Sequence, residues 1–81
     1  MLYTLEIANY ATMQDAISSI PRYSVTRLDL GYNDLASKPH ADNLALINSI
    51  PSSVNLVDLS YNDLGRMPDR DLGDALRFFR Q

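Results

Sequence analysis

The sequence predicts an α/β solenoid of three strand–helix units, and three observations carry that prediction. A phrase is repeated: Val25-x-x-Leu28-x-Leu30-x-x-Asn33-x-Leu35 returns 29 residues later as Val54-x-x-Val57-x-Leu59-x-x-Asn62-x-Leu64. Each copy alternates apolar and polar positions and then passes into a segment with helical spacing. A looser copy of the strand pattern, Leu2-x-x-Leu5-x-Ile7, opens the chain. Self-similarity at this period marks a stack of supersecondary units, none of which can bury its apolar face alone. Such stacks mainly offer surfaces for binding.

The elements follow in order. In the first unit Leu2, Leu5 and Ile7 form a strand. The place of the asparagine is taken by Tyr10, with Asn9 and Tyr10 reversing the Tyr-Asn order of the later copies. A helix carrying Met13, Ile17 and Ile20 follows and ends at Pro21, with Thr12 and Asp15 placed to cap its start. This unit is shorter than the other two, as a terminal cap is. In the second unit Val25, Leu28 and Leu30 point inward, because alternate residues of a strand share a face. Asn33 sits where the chain leaves the strand; its amide both donates and accepts, so it can satisfy backbone groups freed by the turn. Stacked between coils, Asn33 and Asn62 form a ladder. Pro39 marks the next helix start, Leu44, Ile47 and Ile50 its apolar stripe, and Pro51 its stop. The third unit repeats this with Val54, Val57 and Leu59, then Asn62, Pro68 and the stripe Leu72, Leu76, Phe79. Gly73 weakens that last helix. Residues 1–81 are expected to form a single domain: a degenerate cap unit (1–21) and two repeats (22–51 and 52–81).

Composition narrows the function. The chain has 81 residues, 46% of them apolar, which suits one small folded domain. Lys and Arg number 7 against 10 Asp and Glu, a net charge of -3, so the basic stripe that nucleic acid requires is missing. Without cysteine there is neither a disulfide nor a thiolate metal site, and no glycosylation sequon occurs. A cytoplasmic protein is the expectation. The apolar runs are far too short to span a membrane, and no signal-peptide core opens the chain.

The repeats, with the wording Ile-Pro-x-x-Val-x-x-Val-Asp-Leu-Ser-Tyr-Asn-Asp-Leu-Gly over residues 50–65, resemble the leucine-rich-repeat family. The period and the helix make them similar to its ribonuclease-inhibitor-like subclass, and the phrasing is similar to repeats of secreted effectors from intracellular bacteria. The motif covers residues 25–79 well and residues 2–20 loosely. Most family members have many more repeats, so a long horseshoe is out of reach. The resemblance implies a curved parallel three-stranded sheet with helices on the convex side. It also implies protein binding through the concave face without catalysis, and secretion by a bacterium into a host cell.

Aligning the first strand on the template sets the outward residues in rows. Glu6, Asp29 and Asp58 form one row, with neighbouring strands about 4.8 Å apart. Carboxylates this close raise each other's pKa, and a basic group from a partner relieves the repulsion. The alternative is that they face water at little cost. A flat row offers a divalent cation too few ligands. The next row is Thr4, Arg27 and Leu56, beside Tyr3, Tyr32 and Tyr61. Tyr and Arg are the residues of interface hot spots; equally, Tyr32 and Tyr61 can pack coil upon coil at the strand-to-loop corner. The partner-binding candidates are therefore Tyr3, Glu6, Arg27, Asp29, Tyr32, Leu56, Asp58 and Tyr61.

Catalysis has little to work with. His40 is the single histidine, and it has no partner in the sequence that would make it a base or a ligand. Ser60 has no histidine placed to activate it, and an open sheet lacks the unequal environments that paired acid–base carboxylates need. The expectation is a non-enzymatic module with no cofactor and no metal. It docks on one protein, from a host or a fellow effector enzyme, and occludes its active surface. The alternative is a self-associating or structural repeat whose open ends (the first strand and Phe78-Phe79) stack.

Overall fold

A computed structural model describes the backbone of residues 1–77 and the side chains of residues 1–75. Three short strands, β1 (Leu2–Thr4), β2 (Arg27–Asp29) and β3 (Leu56–Asp58), lie parallel in that order in one sheet. Each is followed by one 3-10 turn (Ile7–Asn9, Leu35–Ser37, Leu64–Arg66) and then by a helix. The helices are α1 (Met13–Ser18), α2 (His40–Asn48) and α3 (Asp69–Arg77). They pack in sequence, α1 on α2 and α2 on α3. The result is a short α/β solenoid measuring 33 × 30 × 20 Å, with a parallel three-stranded sheet on one side and helices on the other.

Each element starts and stops for a local reason. Thr12 accepts the Asp15 N–H at 3.1 Å and caps α1 as its position implies. Pro39 occupies the N-cap of α2, where its missing N–H is no loss. Helix α3 continues through Gly73. The buried face of α2 is Asn43, Leu46 and Ile47, with Leu44 and Ile50 only half-buried, so the stripe is rotated from the expected Leu44–Ile47–Ile50 line. Of the expected α3 stripe, Leu72 is half-buried; Ala75, outside that stripe, is buried. Leu76 and Phe79, and with them the side chains of Arg77, Phe78 and Arg80, lie outside the described residues.

The core fills the space between sheet and helices. Val25, Leu28 and Leu30 are 0, 1 and 0% exposed, beside Leu5, Ala16, Ile17, Ile20, Leu35 and Leu46. Their counterparts Val54, Val57 and Leu59 are only half-buried. The difference is positional: among the described residues the second coil is covered on both sides and the third on one.

Asn33 and Asn62 form the expected ladder. The Asn62 Nδ2 donates to Leu30 O (2.8 Å) in the preceding coil and to Leu59 O (3.0 Å) in its own. Its Oδ1 accepts from Asn33 N (2.9 Å) and Leu35 N (3.3 Å). Asn33 repeats this one coil earlier, donating to Leu5 O and Leu30 O and accepting from Ile7 N, all at 2.9 Å. Both asparagines are buried, and both are flanked by residues in the left-handed region: Tyr32 (φ 60°) and Asp34 (φ 53°), Tyr61 (φ 60°) and Asp63 (φ 58°). Non-glycine residues enter that region at a cost of roughly 1–2 kcal/mol. Here the turn so formed aims each amide at the preceding coil.

The first unit departs from expectation in register. β1 pairs with β2 as Leu2↔Arg27, Tyr3↔Leu28 and Thr4↔Asp29. Tyr3, not Leu5, is thus the counterpart of Leu28. Tyr10 does not hold an asparagine position, because the link from β1 to its 3-10 turn is too short to contain one.

Candidate functional site

The open face of the sheet carries two outward rows, set by backbone pairing. One is Leu2, Arg27, Leu56; the other is Thr4, Asp29, Asp58. The predicted row Glu6–Asp29–Asp58 is therefore not formed: Thr4 stands beside Asp29, and Glu6 lies past the end of β1 with its Oε2 accepting from Asn9 Nδ2 at 3.3 Å. In the other row Leu2 replaces Thr4. Tyr3 turns away from the open face. It is half-buried against the core, and its hydroxyl donates to Ser19 Oγ at 3.0 Å.

The corrected rows change the character of the face. Leu2 and Leu56 are 60% and 55% exposed, with the exposed Arg27 between them. Arg27 has no ion-pair partner among the described residues, whereas Arg66 is paired with Asp63 (3.0 Å) and Asp34 (3.7 Å) and Arg22 donates to Ser49 O (2.8 Å). A guanidinium between two exposed leucines combines apolar area with a planar, weakly hydrated charge. Leu2, Arg27, Leu28, Asp29, Leu56 and Asp58 line a shallow depression of about 220 Å³.

Asp29 and Asp58 have a structural task that the row argument missed. Asp29 Oδ1 accepts the Gly31 N–H and Asp58 Oδ1 accepts the Ser60 N–H, both at 2.8 Å. Each carboxylate thereby closes an Asx turn at the end of its strand. The signal was visible as Asp two residues before Gly or Ser. Hydrogen bonds from the Ser60 hydroxyl and backbone N–H hold the Asp58 carboxyl below its ordinary pKa. A Cβ at Gly31 would stand 3.0 Å from Asp29 Oδ1 and 3.3 Å from Ser60 O, so a side chain there would make these neighbours shift by a few tenths of an ångström.

Beyond the turns, Tyr32 and Tyr61 stack with ring centroids 4.4 Å apart and planes within 9°. The rings thus pack coil on coil, as one of the two readings expects, while remaining 76% and 73% exposed. With Asp34, Asn62 and Asp63 they border a second depression of about 350 Å³.

His40 is not isolated either. From the start of α2 its Nε2 lies 3.3 Å from Asp74 Oδ2 and 3.7 Å from Asp71 Oδ1 of α3. The contact ties two coils on the helical side, away from Ser60, and sequence spacing could not reveal it. Among the described residues no cluster of His, Cys, Asp and Glu is arranged to hold a metal ion, and no helix is long and apolar enough to cross a membrane.

Parallel strands at a fixed period, the asparagine ladder and a helix in every coil define a leucine-rich-repeat solenoid, a fold that generally serves as a non-enzymatic binding scaffold. The chain has the leucine-rich-repeat fold. It is similar to the solved leucine-rich repeat-containing protein LegL7 from Legionella pneumophila, with a TM-score of 0.85 and 31% identity over 96% of this chain. The chain spans 24% of the length of that protein. No protein-family model and no curated protein matches it.

Proposed function

We propose that the chain is a non-enzymatic protein-binding module that docks on one protein through its concave sheet face. The observation that carries this reading is the unpaired Arg27 between the exposed Leu2 and Leu56, in the row next to Asp29 and Asp58. Such a face suits a partner that brings an acidic group for Arg27, apolar side chains for the leucines and a basic group for the carboxylates. Where the partner is an enzyme, a rigid face of this size inhibits by covering its active surface. The ribonuclease-inhibitor-like period and the phrasing shared with bacterial effectors favour a host protein or a fellow effector as that partner. On this reading a bacterium secretes the protein into the host cell, and residues 1–81 act as one domain.

The test compares capture of lysate proteins by the wild-type chain and by Arg27→Ala/Leu56→Ala. Both side chains are exposed, so the variant should keep its fold, with stability within about 0.5 kcal/mol per site. Hot-spot truncations cost about 2 kcal/mol or more, roughly 30-fold in affinity. A protein retained by the wild type and lost by the variant supports concave-face docking, and its activity with and without the chain then tests inhibition. Equal retention by both proteins sinks the reading. A second reading, a self-associating structural repeat, is favoured by the half-covered third coil; mass in solution against concentration tests it.

A further inference from the structure

Tyr32 and Tyr61 are strained where they stand. Both occupy the left-handed region, at φ 60°, which a bulky side chain disfavours. Their mutual stack offsets about what that backbone costs, so the pair adds little to stability. Neither ring belongs to the core, and neither hydroxyl has a hydrogen-bond partner among the described residues. Each ring covers one face of the other, and the exposure that remains leaves the opposite faces open. Strained residues held out by a rigid turn point to a ligand more than to packing.

Charge is the second observation. Asp34 and Asp63 border the same depression as the two rings, and both carboxylates are exposed. One guanidinium serves both of them: Arg66 Nε lies 3.0 Å from Asp63 Oδ2, and Arg66 Nη2 lies 3.7 Å from Asp34 Oδ1. Two carboxylates against one cation leave the depression negative. Asp34 is the less satisfied of the pair. Its Oδ1 accepts from Ser37 Oγ at 3.0 Å, and its Oδ2 has no partner among the described residues.

We propose that the tyrosine pair and Asp34 form a recognition site for an arginine side chain of a protein partner. A guanidinium is planar and weakly hydrated, so it lies flat against a tyrosine ring while its N–H fork reaches a carboxylate. A lysine ammonium matches the charge but has no plane to stack. An acidic or phosphorylated side chain meets the wrong sign, and an apolar one leaves Asp34 unserved. The site rests on the protein-binding reading and gives it a second contact of defined chemistry. It shares no residue with the depression around Arg27.

The experiment titrates the isotopically labelled 81-residue chain with the tripeptide acetyl-Gly-Arg-Gly-amide. Two further tripeptides replace the arginine by lysine or by citrulline, which keeps the shape and loses the charge. The expected result is saturable amide shifts centred on Tyr32, Asp34, Tyr61 and Asp63, with a dissociation constant in the millimolar range. Citrulline should bind about tenfold more weakly, having lost both the ring contact of a cation and the ion pair, and lysine about threefold more weakly. Tyr61→Gly and Asp34→Asn should each weaken the arginine tripeptide about threefold; asparagine keeps an oxygen for Ser37 Oγ, so its effect reads the charge. Shifts that do not saturate below about 50 mM tripeptide, equal affinity for citrulline, or affinity unmoved by both substitutions overturns the proposal. The tripeptide has no apolar side chain for Leu2 and Leu56 and no acid for Arg27. Its titration therefore fails or succeeds independently of lysate capture by the sheet face, and the two readings fall separately.

Discussion

Replacing Asn62 by leucine should detach the third coil. The side chain is 1% exposed and joins two coils: it donates to Leu30 O at 2.8 Å and accepts from Asn33 N at 2.9 Å, with a weaker contact to Leu35 N at 3.3 Å. Leucine has the same branching and number of side-chain heavy atoms but is bulkier, so no cavity opens, and the loss is chiefly that of buried backbone groups left without partners, with some crowding added. Each costs about 1–3 kcal/mol. Two strong inter-coil links therefore amount to about 3–4 kcal/mol. A chain of this size is expected to be stable by about 4–12 kcal/mol, so the fraction lost is large. Urea unfolding followed by circular dichroism measures the total, and native-state hydrogen exchange shows where it falls. Amides of α3 and of Met67 should lose protection before those of α1 and the β1–β2 pair, since the stack opens from the end that lost its tie. Asn62→Asp separates the two halves of the amide: it keeps an acceptor for Asn33 N but aims a carboxylate at Leu30 O. It should be worse than leucine at neutral pH and recover in acid, where a protonated carboxyl can donate. A loss below about 0.5 kcal/mol for Asn62→Leu, the range of an ordinary surface change, would refute the ladder as the tie between coils.

Further expectations follow from other parts of the structure. Leu46→Ala, at a position with 0% exposure, should cost about 2–5 kcal/mol in the same unfolding assay, while Arg66→Ala, whose ion pairs are solvent-exposed, should cost no more than about 1 kcal/mol. Tyr61→Gly removes a ring stack of about 0.5–1.5 kcal/mol but relieves a left-handed backbone of about 1–2 kcal/mol, so its stability should change by less than about 1 kcal/mol. The Asp58 carboxyl, lowered by its bonds from Ser60, contributes stability that is present above its unfolded pKa and lost as pH falls through its folded value. The thermal unfolding midpoint should therefore fall as pH drops below about 4, and Asp58→Asn, which keeps the oxygen for the Ser60 N–H, should flatten that dependence.

The asparagine ladder and the Asx turns also alter how the concave face is best probed. Reversing Asp29 and Asp58 to lysine would remove the acceptors of Gly31 N and Ser60 N along with the charge, so lost binding would be ambiguous. Asparagine at both positions removes only the charge.

What the sequence by itself determined is the repeat and everything that depends on local spacing. Two copies of one phrase placed β2, β3, both asparagine turns and the starts of α2 and α3, because identical residues at identical spacing make identical local bonds. Thr12 announced its cap for the same reason. The register of β1 was decided only in the tertiary structure. Leu2-x-x-Leu5-x-Ile7 fits the template, but side chains alternate with a period of two, so a slip of two residues leaves Leu5 and Ile7 buried in either register and hydropathy does not choose between them. Backbone pairing with β2 removes the ambiguity, and with it Glu6 and Tyr3 leave the candidate face while Leu2 joins it. The pairing of His40 with Asp71 and Asp74 and the bonds of Arg66 likewise join residues of different coils, whose proximity exists only once the coils have stacked.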